Sequence, residues 1–164
     1  MILRDATAED VPGILAIYNE VIATSTAVYI DDPVSLADRQ AWFAARQAEA
    51  YPVLVATEGD AVLGYASFGT FRGPWPGFRY SVEHSVHIRN DQRGKGLGGL
   101  LIEPLIARAE AMGKHIMIGA IDADNAGSIR FHERFGFEIS GHMKEVGFKF
   151  DRWLDLVWMQ RRLG

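Results

Sequence analysis

A glycine-rich turn that carries two cations is the part of the sequence best suited to bind an anion. Residues 91–99 read DQRGKGLGG and precede an apolar segment that predicts a helix. Glycines leave backbone N–H groups uncovered, and the first turn of a helix has unpaired N–H donors at the positive end of its dipole. Arg93 and Lys95 add full positive charges. The turn therefore predicts a site for a phosphate or pyrophosphate.

The glycines of this turn also fit a second class of ligand. Gly94, Gly96 and Gly99 match the dinucleotide fingerprint G-x-G-x-x-G. Asp122 follows about 20 residues later, where a ribose-binding acid can stand. The dinucleotide turn usually follows the first strand of its fold and needs no cations, whereas this turn follows several predicted strands. A plain strand-to-helix loop is the third interpretation.

A polar stripe on the strand before this turn contains a candidate general base. The segment SVEHSVHI at 81–88 alternates with a period of two, which places alternate side chains on opposite faces of a sheet. A polar stripe in a sheet covered on both sides is costly unless it lines a wet groove. Glu83 is our candidate base, acting directly or through water, and a solvated edge-strand glutamate is the alternative. The polar face contains Ser81, Glu83, Ser85 and His87, and the other face contains Val82, His84, Val86 and Ile88.

The composition indicates a globular chain without special partners. With 164 residues and 48% hydrophobic content, the chain is long enough for one domain, residues 1–164, and too short for two ordinary ones. A net charge of -4 gives no reason to expect nucleic acid or an anionic membrane as partner. The chain has no cysteine, and its five histidines lack a metal-ligand spacing, so no metal is predicted. No segment has the apolar length of a signal peptide or a membrane span, so we expect a cytoplasmic protein.

The periodicities predict an α/β fold with a mixed, mostly antiparallel sheet and helices on both faces. The predicted order is strand, two helices, three strands, helix, strand, helix and two strands. Gly59-Asp60 predicts a hairpin, and 73–77 predicts a loop. The predicted strands are 2–6, 53–58, 61–71, 81–88, 115–121, 137–144 and 153–161, and the predicted helices begin near residues 7, 35, 97 and 125.

Two motifs and the element order resemble the GNAT-type N-acetyltransferase superfamily. Residues 93–98 fit the pattern R-x-x-G-x-G, which is similar to the superfamily's acetyl-coenzyme A pyrophosphate loop. Residues 125–137 are similar to its asparagine-started helix that ends in Gly-Phe. The resemblance favours acyl-coenzyme A over a dinucleotide and implies acetyl-CoA as co-substrate. The implied cofactor-binding residues are Val86, His87, Ile88, Arg93, Gly94, Lys95, Gly96, Leu97, Gly98, Asn125 and Ser128.

His132 departs from the general superfamily pattern. Many of these enzymes have at this position a tyrosine that protonates the leaving thiolate. A histidine with a reference pKa of ~6.5 can donate that proton or orient other groups, and a buried structural histidine is the alternative. His84 is expected to have a structural role.

A closer resemblance points to a branch of the superfamily and to a substrate class. Residues 24–29, 80–86, 128–137 and 147–155 look like the branch with phosphinothricin and methionine sulfoximine acetyltransferases, in which histidine stands at position 132. The implied substrates are small α-amino acids with a tetrahedral phosphorus or sulfur side chain, and the implied assembly is a homodimer with the Lys149 region near the partner's active site. The candidate substrate-binding residues are Tyr29, Arg72, Trp75, Phe78, Tyr80, Ser85 and Lys149.

Two other functions remain open from the sequence. One is a protein or peptide N-acetyltransferase, which requires an open groove. The other is an acyl-coenzyme A binding module without turnover, in which Glu83 would be dispensable.

Overall fold

The computed structural model describes residues 1–164 and contains seven strands and four α-helices. The strands are β1 Ile2–Asp5, β2 Val53–Glu58, β3 Ala61–Thr70, β4 Ser81–Ile88, β5 Ile116–Asp122, β6 Glu138–Lys149 and β7 Arg152–Arg162. The helices are α1 Val11–Thr24, α2 Leu36–Ala48, α3 Leu97–Ala111 and α4 Ala126–Arg134.

All strands belong to one mixed sheet with the order β1-β2-β3-β4-β5-β7-β6. Five of its pairs are antiparallel, and only β4 and β5 run parallel. The parallel pairing is limited to Ser81–Glu83 against Ile116–Ile118. Beyond these residues the two strands separate, so a gap opens in the middle of the sheet. The predicted mixed, mostly antiparallel sheet is confirmed.

The helices cover both faces of the sheet, as predicted. On one face, α1 and α2 form a buried cluster with β2 and β3 that includes Ile14, Phe43, Val55 and Tyr65. On the other face, α3 forms a larger cluster that includes the fully buried Leu101, and α4 packs against this cluster. Alternate residues of β2 contribute to the two clusters, as the strand period requires.

Polar residues at the helix starts explain where several elements begin. The Oγ of Ser35 accepts the N–H of Asp38 at the start of α2, at 3.1 Å. The Oδ1 of Asn125 accepts the N–H of Ser128 at the start of α4, at 3.0 Å. Such N-caps satisfy N–H groups that the helix itself leaves unpaired.

Two segments differ from the sequence-based prediction. The proline-rich loop contains a short 3-10 turn at Pro76–Phe78. Strand β6 continues to Lys149 instead of ending at residue 144, because two register shifts near Ile139 and Met143 interrupt its alternation without ending its pairing with β7. A bulge of this kind hides the period of two on which the prediction depended. No helix is both long and apolar enough to cross a membrane.

Lys149, a predicted substrate-binding residue, makes its polar contacts within the fold. Its side chain is buried at the end of β6, and Nζ donates to the carbonyls of Ile22, Ser25 and Val28 at 2.6, 2.8 and 2.9 Å. An ammonium has three N–H donors, so none remains for a substrate carboxylate. Burial lowers the pKa of Lys149. The residue instead joins β6 to the C-terminal end of α1 and the loop that follows it.

We expect Lys149→Met to destabilise the fold, because the three carbonyls would stay buried without their donor. The variant loses hydrogen bonds to a charged group and leaves buried acceptors unpaired, so its free energy of unfolding should fall by about 3 kcal/mol. Urea denaturation measures this change. Lys144→Met is the matched control, since Lys144 is exposed on the same strand. Equal stabilities of the two variants would contradict this role of Lys149.

Candidate active site

A cleft crosses the sheet where β4 and β5 separate. Its outer part, about 870 Å³, lies between the glycine-rich turn, the end of α1 and α4. Its inner part, about 290 Å³, contains Glu83, His84 and His132. The two parts share lining residues, so they form one continuous space. The shared residues are Ala27, Val86, His87, Asn125 and Ser128.

The glycine-rich turn has the backbone geometry that its sequence predicts. Gly94 and Gly96 have φ values of +74° and +82°, a region that side chains other than glycine occupy at a cost. Gly96 immediately precedes Leu97, the first residue of α3. The turn therefore directs the start of a 15-residue helix into the outer cleft, and the Arg93 side chain lies beside it.

Of the predicted cofactor-binding residues, only Lys95 does not line the cleft. Its Nζ donates to Oε1 of Gln92 at 3.2 Å, within the turn. The predicted residues that do line the cleft are Val86, His87, Ile88, Arg93, Gly94, Gly96, Leu97, Gly98, Asn125 and Ser128.

Glu83 lies in the inner cleft beside a cation that the sequence did not reveal. A Cβ atom at Gly69 would lie 2.6 Å from both Nη atoms of Arg46, so the guanidinium covers Gly69. Gly69 is the cross-strand partner of Glu83, and such partners lie about 5 Å apart on the same face. Nε of Arg46 donates to Oγ of Ser67 at 3.2 Å. Burial raises the pKa of Glu83, and the charge of Arg46 opposes this shift.

His84 and His132 meet on the opposite face of the sheet. Their Nε2 atoms lie 3.2 Å apart, and Nδ1 of His132 lies 2.7 Å from the carbonyl oxygen of Ser128. Burial lowers the pKa of both imidazoles, that of His84 to about 3. A Cβ atom at Gly119 would lie 3.0 Å from Nε2 of His84, so this glycine of β5 makes room for the pair. His84 therefore contacts a candidate catalytic residue directly.

Most of the predicted substrate-binding residues lie outside the cleft. Ser85 lines its inner part. The hydroxyl of Tyr29 donates to the carbonyl of Asp155 at 3.1 Å. The Arg72 guanidinium lies 5.5 Å from the centre of the Phe78 ring. The other two aromatic residues, Trp75 and Tyr80, are exposed. None of these five residues is among those that line the cleft within one chain.

Several residues that line the inner cleft were not singled out from the sequence. Tyr18 reaches the cleft from α1 and belongs to no motif, whereas Ala27 and Val28 reach it from the following loop and belong to the segment 24–29 that carries the closer resemblance. Gly119 has a signal of its own, since a lone glycine inside an apolar strand indicates a close approach. Asp122, the candidate ribose acid, accepts hydrogen bonds from the Thr26 hydroxyl and the Asp124 N–H. The structure contains no group of three or more His, Asp or Glu side chains suited to a metal ion.

The chain is similar over nearly its whole length to known acetyltransferases. The chain is 57% identical to an L-methionine sulfoximine/L-methionine sulfone acetyltransferase of Pseudomonas paraeruginosa, over 98% of this chain and 94% of that protein. It is 37% identical to a phosphinothricin N-acetyltransferase of Alcaligenes faecalis, over 99% of this chain and 81% of that protein. A solved acetyltransferase structure from Salmonella typhimurium with its cofactor acetyl-CoA has a TM-score of 0.97 and 46% identity, covering 100% of this chain and 94% of that one. Residues 14–137 match the acetyltransferase (GNAT) family, and the chain belongs to that family.

Proposed function

We propose that this acetyltransferase transfers the acetyl group of acetyl-CoA directly to the α-amino group of a small amino acid with a sulfoximine, sulfone or phosphinic side chain. The observation that carries the proposal is the half-buried Glu83 carboxylate inside a cleft that continues to the glycine-rich turn. The names of relatives that align over nearly the whole chain support the substrate class.

The outer cleft fits the co-substrate in its chemistry. The turn at 93–98 offers backbone N–H groups and the Arg93 charge to a diphosphate, as an anion at a helix N-terminus requires. The edge of β4 that faces the gap has no strand partner beyond Glu83. The backbone groups of Val86–Ile88 on this edge therefore suit the amides of a pantetheine arm.

Glu83 has the position and the environment of a general base. Attack on the thioester forms a C–N bond and breaks the C–S bond, with the electron pair passing to sulfur. The attacking amine must lose its proton, and Glu83 accepts it directly or through water. Burial moves the pKa of Glu83 toward neutral pH, and a general base is most effective when its pKa is close to the pH at which the enzyme works. Arg46 favours the ionised carboxylate that the step needs.

We expect Glu83→Gln to reduce kcat by about 10²–10⁴-fold, the usual size for a lost general base. Thiol release with methionine sulfoximine, methionine sulfone and phosphinothricin measures this loss, and calorimetry should show unchanged acetyl-CoA binding. Glu103→Gln, at an exposed site of α3, is the control and should keep full activity. Unchanged turnover of Glu83→Gln, or activity on a lysine peptide alone, would contradict the proposal.

We expect Gly96→Val to weaken acetyl-CoA binding about tenfold or more, because a β-branched residue cannot hold φ at +82° without strain. The turn would then no longer direct its N–H groups at the diphosphate. Gly113→Val is the matched control, since Gly113 has a φ of +73° and lies after the C-terminal end of α3. If the calorimetric affinity for acetyl-CoA falls equally in both variants, backbone strain alone explains the loss, and the proposed role of the turn is contradicted.

We also propose a homodimer that buries the β6 edge of the sheet. Strand β6 is an edge strand, and it and the adjoining turn and strand carry exposed apolar side chains. Large exposed apolar patches on a soluble protein commonly mark interaction sites. The exposed residues are Ile139, Met143, Val146, Phe148, Phe150 and Trp153.

We expect Trp153→Glu to convert the dimer to a monomer in sedimentation velocity, because a carboxylate would be buried at the interface without a partner. Ile2→Glu is the matched control, since Ile2 is similarly exposed on β1, the opposite edge strand. A monomeric wild-type protein, or a dimer that persists in Trp153→Glu, would contradict this interface.

A further inference from the structure

The contact between His84 and His132 constrains which ring nitrogens carry protons. A hydrogen bond needs one donor and one acceptor, and a neutral imidazole has one N–H and one lone pair. Nε2 of His84 and Nε2 of His132 lie 3.2 Å apart, so one of them carries a proton and the other does not. The partners of the two Nδ1 atoms decide which.

His132 must carry a proton on Nδ1. Nδ1 lies 2.7 Å from the carbonyl oxygen of Ser128, and a carbonyl oxygen can only accept. The Ser128 hydroxyl is farther away, at 3.4 Å from the same nitrogen. Three arrangements then remain: a neutral pair in which His132 accepts from His84 through Nε2, the same hydrogen bond with a cationic His84, and a cationic His132 that donates to His84.

The Nδ1 atom of His84 separates these arrangements, because it is buried and has no hydrogen-bond partner. In both cationic arrangements this atom carries a proton, so a buried N–H donor would have no acceptor and a buried charge would have no counter-charge. In the neutral arrangement it is only an unpartnered lone pair of an uncharged ring. A buried charge without a counter-charge costs far more than an unpaired neutral acceptor.

We propose that His84 is a positioning residue for His132: the Nε2–H of His84 donates to Nε2 of His132 and holds that imidazole neutral, with its own proton on Nδ1. The groups around the pair favour this state. Phe137 contacts both rings, with centroids 5.2 and 5.3 Å away, and Gly119 of β5 and Ser128 of α4 carry no charge. His87 is the other titratable group acting on His84, and burial lowers the pKa of His87 to about 4.

The pair therefore has no N–H to give to a leaving thiolate, an inference that rests on the proposed function. The Nδ1–H of His132 is bound to Ser128, and the Nε2–H of His84 is bound to His132. When the C–S bond breaks, the electron pair stays on sulfur and the thiolate takes its proton from solvent. The proton removed from the amine remains on Glu83 until Glu83 releases it to water.

The protonation states can be measured directly in the wild-type protein. Two-bond ¹H–¹⁵N spectra of ¹⁵N-histidine-labelled protein between pH 6 and 8 distinguish protonated from bare ring nitrogens. His84→Gln, His132→Gln and His115→Gln assign the signals, and His115 is an exposed control. We expect His132 protonated on Nδ1 only and His84 on Nε2 only, without titration in this range. A cationic His132, or a His84 protonated on Nδ1, would overturn the proposal.

Two variants of His84 separate positioning from packing. His84→Gln keeps an N–H donor near the place of Nε2, and His84→Met keeps the volume without the donor. In His84→Gln the donor to Nε2 of His132 is kept, so the ring-nitrogen spectra should still show His132 protonated on Nδ1 only. In His84→Met that donor is lost, so Nε2 of His132 is no longer held bare and should titrate at a higher pH than in the wild-type protein. Equal His132 spectra in the two variants would assign His84 a packing role.

These measurements also separate this inference from the proposed function. The ring-nitrogen spectra report on His84 and His132 whether or not any amine is acetylated. Retained turnover in Glu83→Gln would remove the proposed base and leave the tautomers unchanged.

Discussion

The structure depends on the early end of the parallel pairing between β4 and β5. Pairing stops after Glu83 and Ile118, so backbone groups in the centre of the sheet have no strand partner. Buried N–H and C=O groups without partners are costly, and a ligand with amide groups can supply those partners. The surrounding elements keep this gap open. The loop after α1 is held by Lys149 and by the contact between Thr26 and Asp122, and the glycine-rich turn continues from the end of β4.

Lys149 and Arg46 are both at least half-buried, but their positive charges have different roles in the structure. The ammonium of Lys149 donates to three carbonyl oxygens, so it stabilises the loop that follows α1. Arg46 uses only Nε in a side-chain hydrogen bond, to Ser67, and its remaining guanidinium lies over Gly69 beside Glu83. Its charge therefore acts on the carboxylate through space. A rigid, planar guanidinium suits this position, because it can lie flat on a glycine of the sheet.

The sequence predicted local features well and tertiary contacts poorly. The strand period separated Glu83 from His84, and the density of glycines at 94–99 identified the turn, because both signals lie within a few residues. The three carbonyls that bind Lys149 were not predicted, since they are more than 120 residues away in the chain. Arg46 was missed for the same reason: nothing near it on α2 shows that it will cover Gly69. Tyr29 and Arg72 were predicted from resemblance, and resemblance does not fix which groups a side chain meets within one chain.

The alternation of β4 divides the chemistry of the site between the two faces of the sheet. Glu83 and His87 face α1 and α2, where Arg46 and Tyr18 lie, and His84 faces α4 and His132. Burial favours the uncharged form of every group there, so it raises the pKa of a carboxyl and lowers that of an imidazole. Among Glu83 and the imidazoles of His84, His87 and His132, a nearby cation opposes the effect of burial only for Glu83. The environment therefore favours neutral imidazoles on both faces of the sheet. Glu83 combines a pKa raised by burial with a nearby cation that favours its ionised form.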